Sequence, residues 1–239
     1  IAQTEKNLGK FVDAIFACSQ EDLDLFKKMN VLELEGAVVP NGVVLNTSKF
    51  QNNTKSGLSD YIIFCGSMSY EPNTEGLQWF YKSVWPQIKA HCPALKLLVV
   101  GSGTLPKNLN YLKEDESLLF TGTVEDVRQW YDKACIAIVP IINGSGTRLK
   151  VTEAMGYGLP VVSTTKGAEG IEYTNGLNIL IADDERSFAE QMINLLDNKD
   201  RCRSLVANAQ ILIELRYDWN VIGKEMADYI KKKLKPKNI

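Results

Sequence analysis

The stretch from Cys135 to Ser163, CIAIVPIINGSGTRLKVTEAMGYGLPVVS, decides the fold. Cys135 to Val139 is a short apolar run with β-branched residues, the pattern of a strand buried on both faces. Asn143 to Thr147 (NGSGT) is too rich in glycine to continue it and reads as a loop. Arg148 to Tyr157 then has helical spacing, with Val151, Ala154 and Met155 forming an apolar stripe, and Pro160 to Ser163 returns to a strand. Strand, glycine-rich loop, helix, strand is a βαβ unit, and such a unit lays two parallel strands in one sheet.

The same rhythm runs outward in both directions. Upstream, strands are predicted over Tyr61 to Cys65, Leu95 to Val100 and Ser117 to Phe120. Helices are predicted over Thr74 to His91 and over Val124 to Lys133, the second capped by Thr123 with Asp126 at the third position. Downstream come a strand at Asn178 to Ile181, a helix at Glu185 to Asn198, and a helical segment from Arg201 to Tyr229 broken near Arg216-Tyr217-Asp218. Short apolar strands alternating with longer amphipathic helices specify an α/β fold: a doubly wound, Rossmann-like parallel sheet with helices on both faces. Residues 60–215 hold six such strands, enough for one complete domain.

The N-terminal part is of another kind. The apolar run Phe11 to Cys18 is followed by Ser19 with Asp22 three residues on, a capping-box type of helix start. A helix over Asp22 to Met29 and a short strand at Ala37 to Val39, ending in the turn Pro40-Asn41-Gly42, complete one strand–helix–strand unit in residues 1–45. One such unit cannot close a core alone, so it is expected to be a remnant of a further domain or an addition docked on the main one. Residues 46–59 (NTSKFQNNTKSGLS) are polar and read as a linker. Residues 216–239 end in five lysines within the seven positions Lys231 to Lys237, where the helix dipole favours cations.

Composition narrows the function classes. Of 239 residues, 45% are hydrophobic and 23% charged, which supports a real core. The formal charge of −2 argues against a nucleic-acid partner, and Trp79, Phe80 and Trp85 do not alternate with basic residues as a base-stacking platform would. No apolar stretch approaches the roughly 20 residues that span a bilayer. The opening IAQTEKNLGK lacks the pattern of a secretory leader, and Ile1 in place of Met is consistent with a chain processed, trimmed or cut from something larger. Five scattered cysteines without a CxxC pair suggest reduced thiols and a cytoplasmic setting, with attachment to the inner membrane face left open. The single histidine, His91, rules out a histidine-based zinc cluster and makes a Ser-His-Asp hydrolase untenable. No metal site is expected; Asp22-Leu23-Asp24 lies on a helix remote from the loops that follow the strands.

Ligands of open parallel sheets bind beyond the carboxyl ends of the strands. Glycine-containing turns fall there three times: Gly66, then Gly101 and Gly103, then Gly144 and Gly146. The last precedes a helix, so amides left unpaired by helix geometry point into the crevice, with Arg148 and Lys150 adding positive charge. A phosphate or diphosphate is the natural occupant. GxGxxG is absent after the first strand (FCGSMSYEPN), and the loop continues GTRLK rather than the GK[ST] of a P-loop. Glu153 shares a helical stripe with Gly146, Lys150 and Tyr157. A carboxylate so placed suits sugar hydroxyls, and the competing reading is an intrahelical ion pair with Lys150.

VVPNGV (38–43), FCGSMSYEPNTEGLQWF (64–80), LLVVGSG (97–103), FTGTVEDVRQWY (120–131), IAIVPIINGSGTRLKVTEAMGYGLPVVSTTKGAEGI (136–171) and YDWNVIGKEMADYI (217–230) together resemble a retaining nucleotide-sugar glycosyltransferase of the family 4 type, with the GT-B fold. The resemblance covers nearly the whole chain. It implies that residues 60–215 bind a nucleotide-diphosphate sugar (UDP- or GDP-sugar), the donor substrate, with no separate cofactor. It also implies that residues 1–45 end an acceptor-side domain otherwise missing, and that residues 216–239 form the helix that crosses back to it. Glu153 matches the carboxylate that holds the donor ribose. Gly146, Thr147 and Arg148 match the diphosphate cradle, Thr121, Gly122 and Val124 the wall of the base site, and Gly66 the glycine after the first strand. Gly101 and Gly103 share that rim, and Ser67 and Ser145 are counted among the expected donor contacts.

Two departures stand out. Many members carry a second glutamate eight positions before Glu153, where this chain has Ser145; many also carry an Arg after Gly66 and a Lys soon after, where this chain has Ser67 and Asn73. Those cations would neutralise the leaving diphosphate, a task left here to Arg148 or Lys150. The expected catalytic set is therefore Glu153, Arg148 and Lys150. The alternatives are a nucleotide-sugar-binding module without transfer, or a GT-B-like sugar-nucleotide epimerase, which would want more acids or a histidine.

Overall fold

The computed structural model describes residues 11–29, 35–43 and 60–233. The expected linker at 46–59 lies outside the described residues, as do the last lysines. The chain divides into two compact units, residues 1–44 with 214–239, and residues 45–213. Residues 214–239 thus group with the N-terminal residues, and the larger unit ends at Ile213.

In the larger unit, six strands form one parallel sheet: β3 (Tyr61–Cys65), β4 (Lys96–Val100), β5 (Leu118–Gly122), β6 (Ile136–Val139), β7 (Val161–Ser163) and β8 (Leu180–Ile181). Their order is β5-β4-β3-β6-β7-β8. Ile62, Ile63, Phe64, Leu97, Leu98, Val99 and Ile136 to Val139 are each at most 3% exposed, so both faces are covered. That explains why these strands are continuously apolar instead of alternating. The doubly wound Rossmann-like class holds.

The helices are α2 (Glu71–Trp79), α3 (Trp85–His91), α4 (Arg128–Tyr131), α5 (Leu149–Gly156), α6 (Glu185–Asp197) and α7 (Lys199–Arg216). Two differ from the expected spans. Thr74 to His91 is not one regular helix: α2 and α3 are separated by a π-helical turn over Phe80–Val84, where the Trp85 N–H bonds the Phe80 carbonyl. Pro86 has no N–H for the Lys82 carbonyl and its ring would strike it, so the chain widens locally to keep its direction. Phe80 and Trp85 are buried, and both Trp79 and Phe80 meet the Phe188 ring edge-on. The expected helix over Val124 to Lys133 shrinks to α4, and Thr123 does not cap it. Asp126 takes the Arg128 N–H at 2.9 Å instead, holding residues 123–127 as a loop. His91, expected only to suit a helix end, pairs its Nε2 with Asp197 at 2.9 Å.

Helix α2 sits against the end of β6 through Gly76. A Cβ there would stand 2.3 Å from the Pro140 carbonyl oxygen, a backbone atom that cannot turn aside. Gly76→Ala should therefore cost about 1–3 kcal/mol of stability by displacing α2, despite the ~1 kcal/mol that alanine contributes to a helix interior. The midpoint of urea unfolding checks this; an unchanged or higher midpoint would show that α2 moves off freely.

In the smaller unit, β1 (Ala14–Ala17) pairs in parallel with β2 (Glu35–Val38), joined through α1 (Gln20–Met29). Ser19 caps α1 as expected, its Oγ accepting the Asp22 N–H at 3.1 Å and donating to the Asp22 carboxylate at 2.8 Å. Asp22 and Asp24 lie on this helix. The last helix, α8 (Trp219–Lys233), returns to β2: Glu35 accepts from Tyr229 Oη at 3.2 Å and Lys233 Nζ at 3.1 Å. At least one lysine of the basic end is thus tied to a carboxylate.

Candidate functional site

The strand order sets the place. From β3 the chain winds outward through β4 and β5, and from β6 the other way through β7 and β8. The β3/β6 junction is therefore a topological switch point, where the loops that leave the two strands part and open a crevice. Residues 66–70 leave β3 there, and residues 140–148 leave β6.

The loops on this rim are laced together by backbone. The Gly66 N–H bonds the Val100 carbonyl at 2.9 Å, the Met68 N–H the Ser102 carbonyl at 2.7 Å, and the Gly101 N–H the Gly122 carbonyl at 3.3 Å. Gly101 lies so close to Gly66 that any side chain would collide with the Gly66 carbonyl. Gly103 likewise lies against Ser69, and the Ser67 Oγ accepts the Ser69 N–H at 3.3 Å. Thr121, Gly122 and Val124 close this row at β5, two strands, or about 10 Å, from β3.

On the other side, Asn143 to Thr147 forms the glycine-rich loop. Asn143 donates its amide to Glu75 on α2 at 3.0 Å. Gly146 has φ of +100°, with open space where a side chain would be. Ser145 and Gly146 are exposed and Thr147 half-buried. Among the described residues, the N–H groups of Gly146, Thr147 and Arg148 donate to no protein acceptor. They are the free donors at the start of α5.

The two cations of GTRLK part company. Lys150 reaches across the crevice to Asn73: its Nζ donates to Asn73 Oδ1 at 2.6 Å, while Asn73 Nδ2 donates to the Ser67 carbonyl at 2.8 Å. The ammonium stands 3.0 Å from where a Gly66 Cβ would be, and 5.1 Å from the centre of the Phe64 ring. A cation is therefore delivered beside Ser67 and Asn73, the positions where basic residues were expected and not found. Burial lowers the Lys150 pKa from its usual value to about 8, with Arg148 pressing the same way and Glu153 opposing. Arg148 turns inward instead. Its side chain is 7% exposed, with Nη2 3.6 Å from Glu169 and Nε donating to the Lys166 carbonyl at 3.2 Å. Glu169 also takes Lys166 at 2.6 Å. The charge of Arg148 is spent on holding the loop to the turn after β7, so of the two expected cations only Lys150 is aimed at the rim.

Glu153 lies one turn into α5. Val151, Ala154 and Met155 are fully buried, as their stripe predicts, while Glu153 is half-buried on the neighbouring face. No Lys150–Glu153 ion pair forms, which removes the competing intrahelical reading: the ammonium is taken by Asn73. Burial raises the Glu153 pKa, and Tyr131 and Lys150 pull against it. Of the groups around the site, Tyr131 and Glu169 escaped sequence reasoning. Glu169 lies 21 positions from Arg148, and Tyr131 reads as ordinary helix core. Two open depressions elsewhere, between α6 and α7 at Glu190 to Asp200 and between α3 and Asp115 to Ser117, lie at the amino ends of the strands and share no residue with the rim. Among the described residues, no group of three His, Cys, Asp or Glu side chains converges as a metal site would.

The sheet order and the rim define one Rossmann-like half of a GT-B fold. Residues 59–198 match the family described as glycosyl transferases group 1, and the chain belongs to that family. It is 32% identical over 222 residues to an uncharacterised 44.6 kDa protein in the cps region of Klebsiella pneumoniae, covering 90% of this chain and 55% of that protein. It is 25% identical over 248 residues to a GDP-mannose-dependent monoacylated alpha-(1-6)-phosphatidylinositol monomannoside mannosyltransferase of Corynebacterium glutamicum, covering 95% and 64%. Among solved structures, Anabaena HepE in complex with UDP and glucose superposes with a TM-score of 0.73 at 18% identity, covering 96% of this chain and 66% of that one. The chain thus spans a little over half to about two thirds of the length of these relatives. Among the described residues, no helix is long and apolar enough to cross a membrane.

Proposed function

We propose that residues 60–215 are the donor domain of a retaining glycosyltransferase of the family 4 type. It takes a sugar from a UDP- or GDP-sugar and passes it to an acceptor hydroxyl held mostly by a domain of which residues 1–45 are the end. The observation that carries this reading is the pairing of three free amides, at Gly146, Thr147 and Arg148, with the Lys150 ammonium across one crevice. Amides at a helix start and one cation match a diphosphate in charge and in hydrogen-bonding sense.

The chemistry follows from that placement. As the bond from the anomeric carbon to the diphosphate lengthens, negative charge gathers on the departing oxygens and the sugar takes on oxocarbenium character. Donors already fixed at 146–148 and at Lys150 Nζ stabilise that charge without reorganising. Glu153 accepts hydroxyls of the nucleoside ribose and so fixes the donor along the rim. Thr121, Gly122 and Val124 would flank the base, with Gly66, Ser67, Gly101 and Gly103 forming the floor. The departing phosphate would assist the acceptor on its own face, which retains the configuration. A role in envelope or polysaccharide synthesis is supported by the mannosyltransferase relative, whose name gives a phosphatidylinositol monomannoside as its substrate; the cytoplasmic setting remains a reading of the thiols.

A second reading, binding without transfer, is favoured by one feature: Arg148 is committed to Glu169, so of the two cations of the GTRLK loop only Lys150 faces the crevice. Calorimetric titration of the chain with UDP, GDP and ADP should give micromolar binding of UDP or GDP and far weaker binding of ADP. Transfer should then be measurable when the chain is extended to the length of its relatives. No binding of any of the three would remove the donor-site reading, whereas binding without turnover in the extended protein would leave only the binding module.

A further inference from the structure

We propose that Tyr131 is a positioning residue for Glu153: its sealed hydroxyl holds the carboxylate in the orientation that meets the ribose hydroxyls, and Tyr157 braces the ring. The inference rests on the donor-site reading of Glu153 and names a part that this reading did not include. Tyr131 comes from α4, outside the glycine-rich loops, and is 2% exposed. Its hydroxyl is shut off from solvent and lies close to the Cys65 thiol and the Glu153 carboxylate, yet completes a well-formed hydrogen bond with no described residue.

A buried phenol left without a partner is destabilising, so the position asks for a reason. Packing is not one, because phenylalanine would fill the same core space without the oxygen. The thiol is a poor answer: burial pushes the Cys65 pKa up to about 12, and a neutral thiol is a weak acceptor. The carboxylate is the strong acceptor within reach. Burial raises the Glu153 pKa, while the Tyr131 hydroxyl and Lys150 lower it, so the phenol favours the anion over the neutral acid.

The brace is built into the same helix. Tyr157 caps the end of α5, four residues after Glu153, and its N–H bonds the Glu153 carbonyl at 2.9 Å. Its ring stacks on Tyr131 with centroids 4.9 Å apart and planes 18° apart. The helix that carries the carboxylate thus also fixes the phenol that aims it. With Lys150 drawn to Asn73, the Tyr131 hydroxyl is the side-chain donor that acts on Glu153.

The test uses the whole chain with UDP and GDP as probes, titrated from pH 5 to 8. The ionisable groups facing the carboxylate are Tyr131, Lys150, Cys65 and Tyr157. In the wild type, affinity should fall as acid protonates Glu153. Tyr131→Phe keeps the stacked ring and loses only the oxygen; it should weaken binding about 3- to 10-fold at pH 7 and move the acid limb upward by about half a pH unit. A merely structural oxygen would change the melting temperature and leave that limb in place. Tyr157→Leu keeps the hydroxyl but frees the ring, and should weaken binding with a smaller shift of the limb. If Glu153→Ala weakens binding while Tyr131→Phe matches the wild type in affinity and limb, the positioning role falls and the donor site stands. If Glu153→Ala binds like the wild type, the donor-site reading falls first and takes this inference with it.

Discussion

Replacing Lys150 by methionine should lower affinity for UDP or GDP about 10- to 100-fold, and lower kcat/KM of the extended protein by about 100-fold or more. The reason is geometric. Lys150 Nζ spends one proton on Asn73 Oδ1, and the ammonium lies at the glycine floor of the crevice, over the Phe64 ring. No other side-chain cation from the GTRLK loop reaches the rim, because Arg148 is held by Glu169 and the Lys166 carbonyl. Methionine keeps much of the stem and its contact with Phe64, so folding should survive. The same lysine sets an alkaline limit. With its pKa lowered to about 8 by burial, it loses its charge as the pH rises through that value, and affinity for a diphosphate should fall with it.

The stability change has the opposite sign. A lysine whose folded pKa lies below its unfolded one leaves the unfolded chain holding more protons, so this lysine's contribution to stability rises with pH between about 8 and its ordinary 10.5, against the opposite contribution of the buried thiols Cys65 and Cys135. The methionine variant should lack both effects: no alkaline loss of its residual affinity, and a melting temperature that loses ground to the wild type as the pH rises from 7 to 9.5. Titrations and thermal melts at pH 7 and 9.5 read both. A variant that binds UDP and GDP as the wild type does would remove Lys150 from the site.

Much of this was legible in the sequence because the signals are local. All six strands of the larger unit lie where apolar runs of four to six residues place them, and the glycine-rich loop follows β6 as its composition requires. What escaped depends on partners far along the chain. That Arg148 turns inward follows from Glu169, and that Lys150 reaches the far wall follows from Asn73, 77 residues upstream. Neither pairing has a periodicity to read. Local misreadings have local causes. Pro86 forces the π-helical turn inside an otherwise helical pattern, and Asp126 holds residues 123–127 as a loop by taking the Arg128 N–H that a regular helix would point at a carbonyl. Tyr131 shows a further limit: sequence spacing assigns an aromatic to the core, and only three-dimensional packing shows that its oxygen is buried without a hydrogen-bond partner among the described residues, near Cys65 and Glu153.

Glu153→Gln should produce a loss of similar size to the lysine variant but with the reverse selectivity. A carboxylate accepts from both ribose hydroxyls, whereas the isosteric amide accepts on one side only and turns a donor toward the other. Hydrogen bonds to a charged group contribute about 1.5–3 kcal/mol, so nucleotide affinity should fall about 10- to 100-fold. Inorganic pyrophosphate, which has no ribose, should bind the glutamine variant as well as it binds the wild type, or slightly better once a negative charge near the amides is gone. Lys150→Met should instead lose pyrophosphate and nucleotide together. Deoxyribose probes sharpen the comparison. dUDP or dGDP should bind the wild type more weakly than the parent nucleotide, and the glutamine variant should no longer distinguish the two. Equal discrimination by both proteins would place the ribose away from Glu153, and loss of pyrophosphate binding in Glu153→Gln would make the carboxylate a support of the loop instead of a contact to the nucleoside.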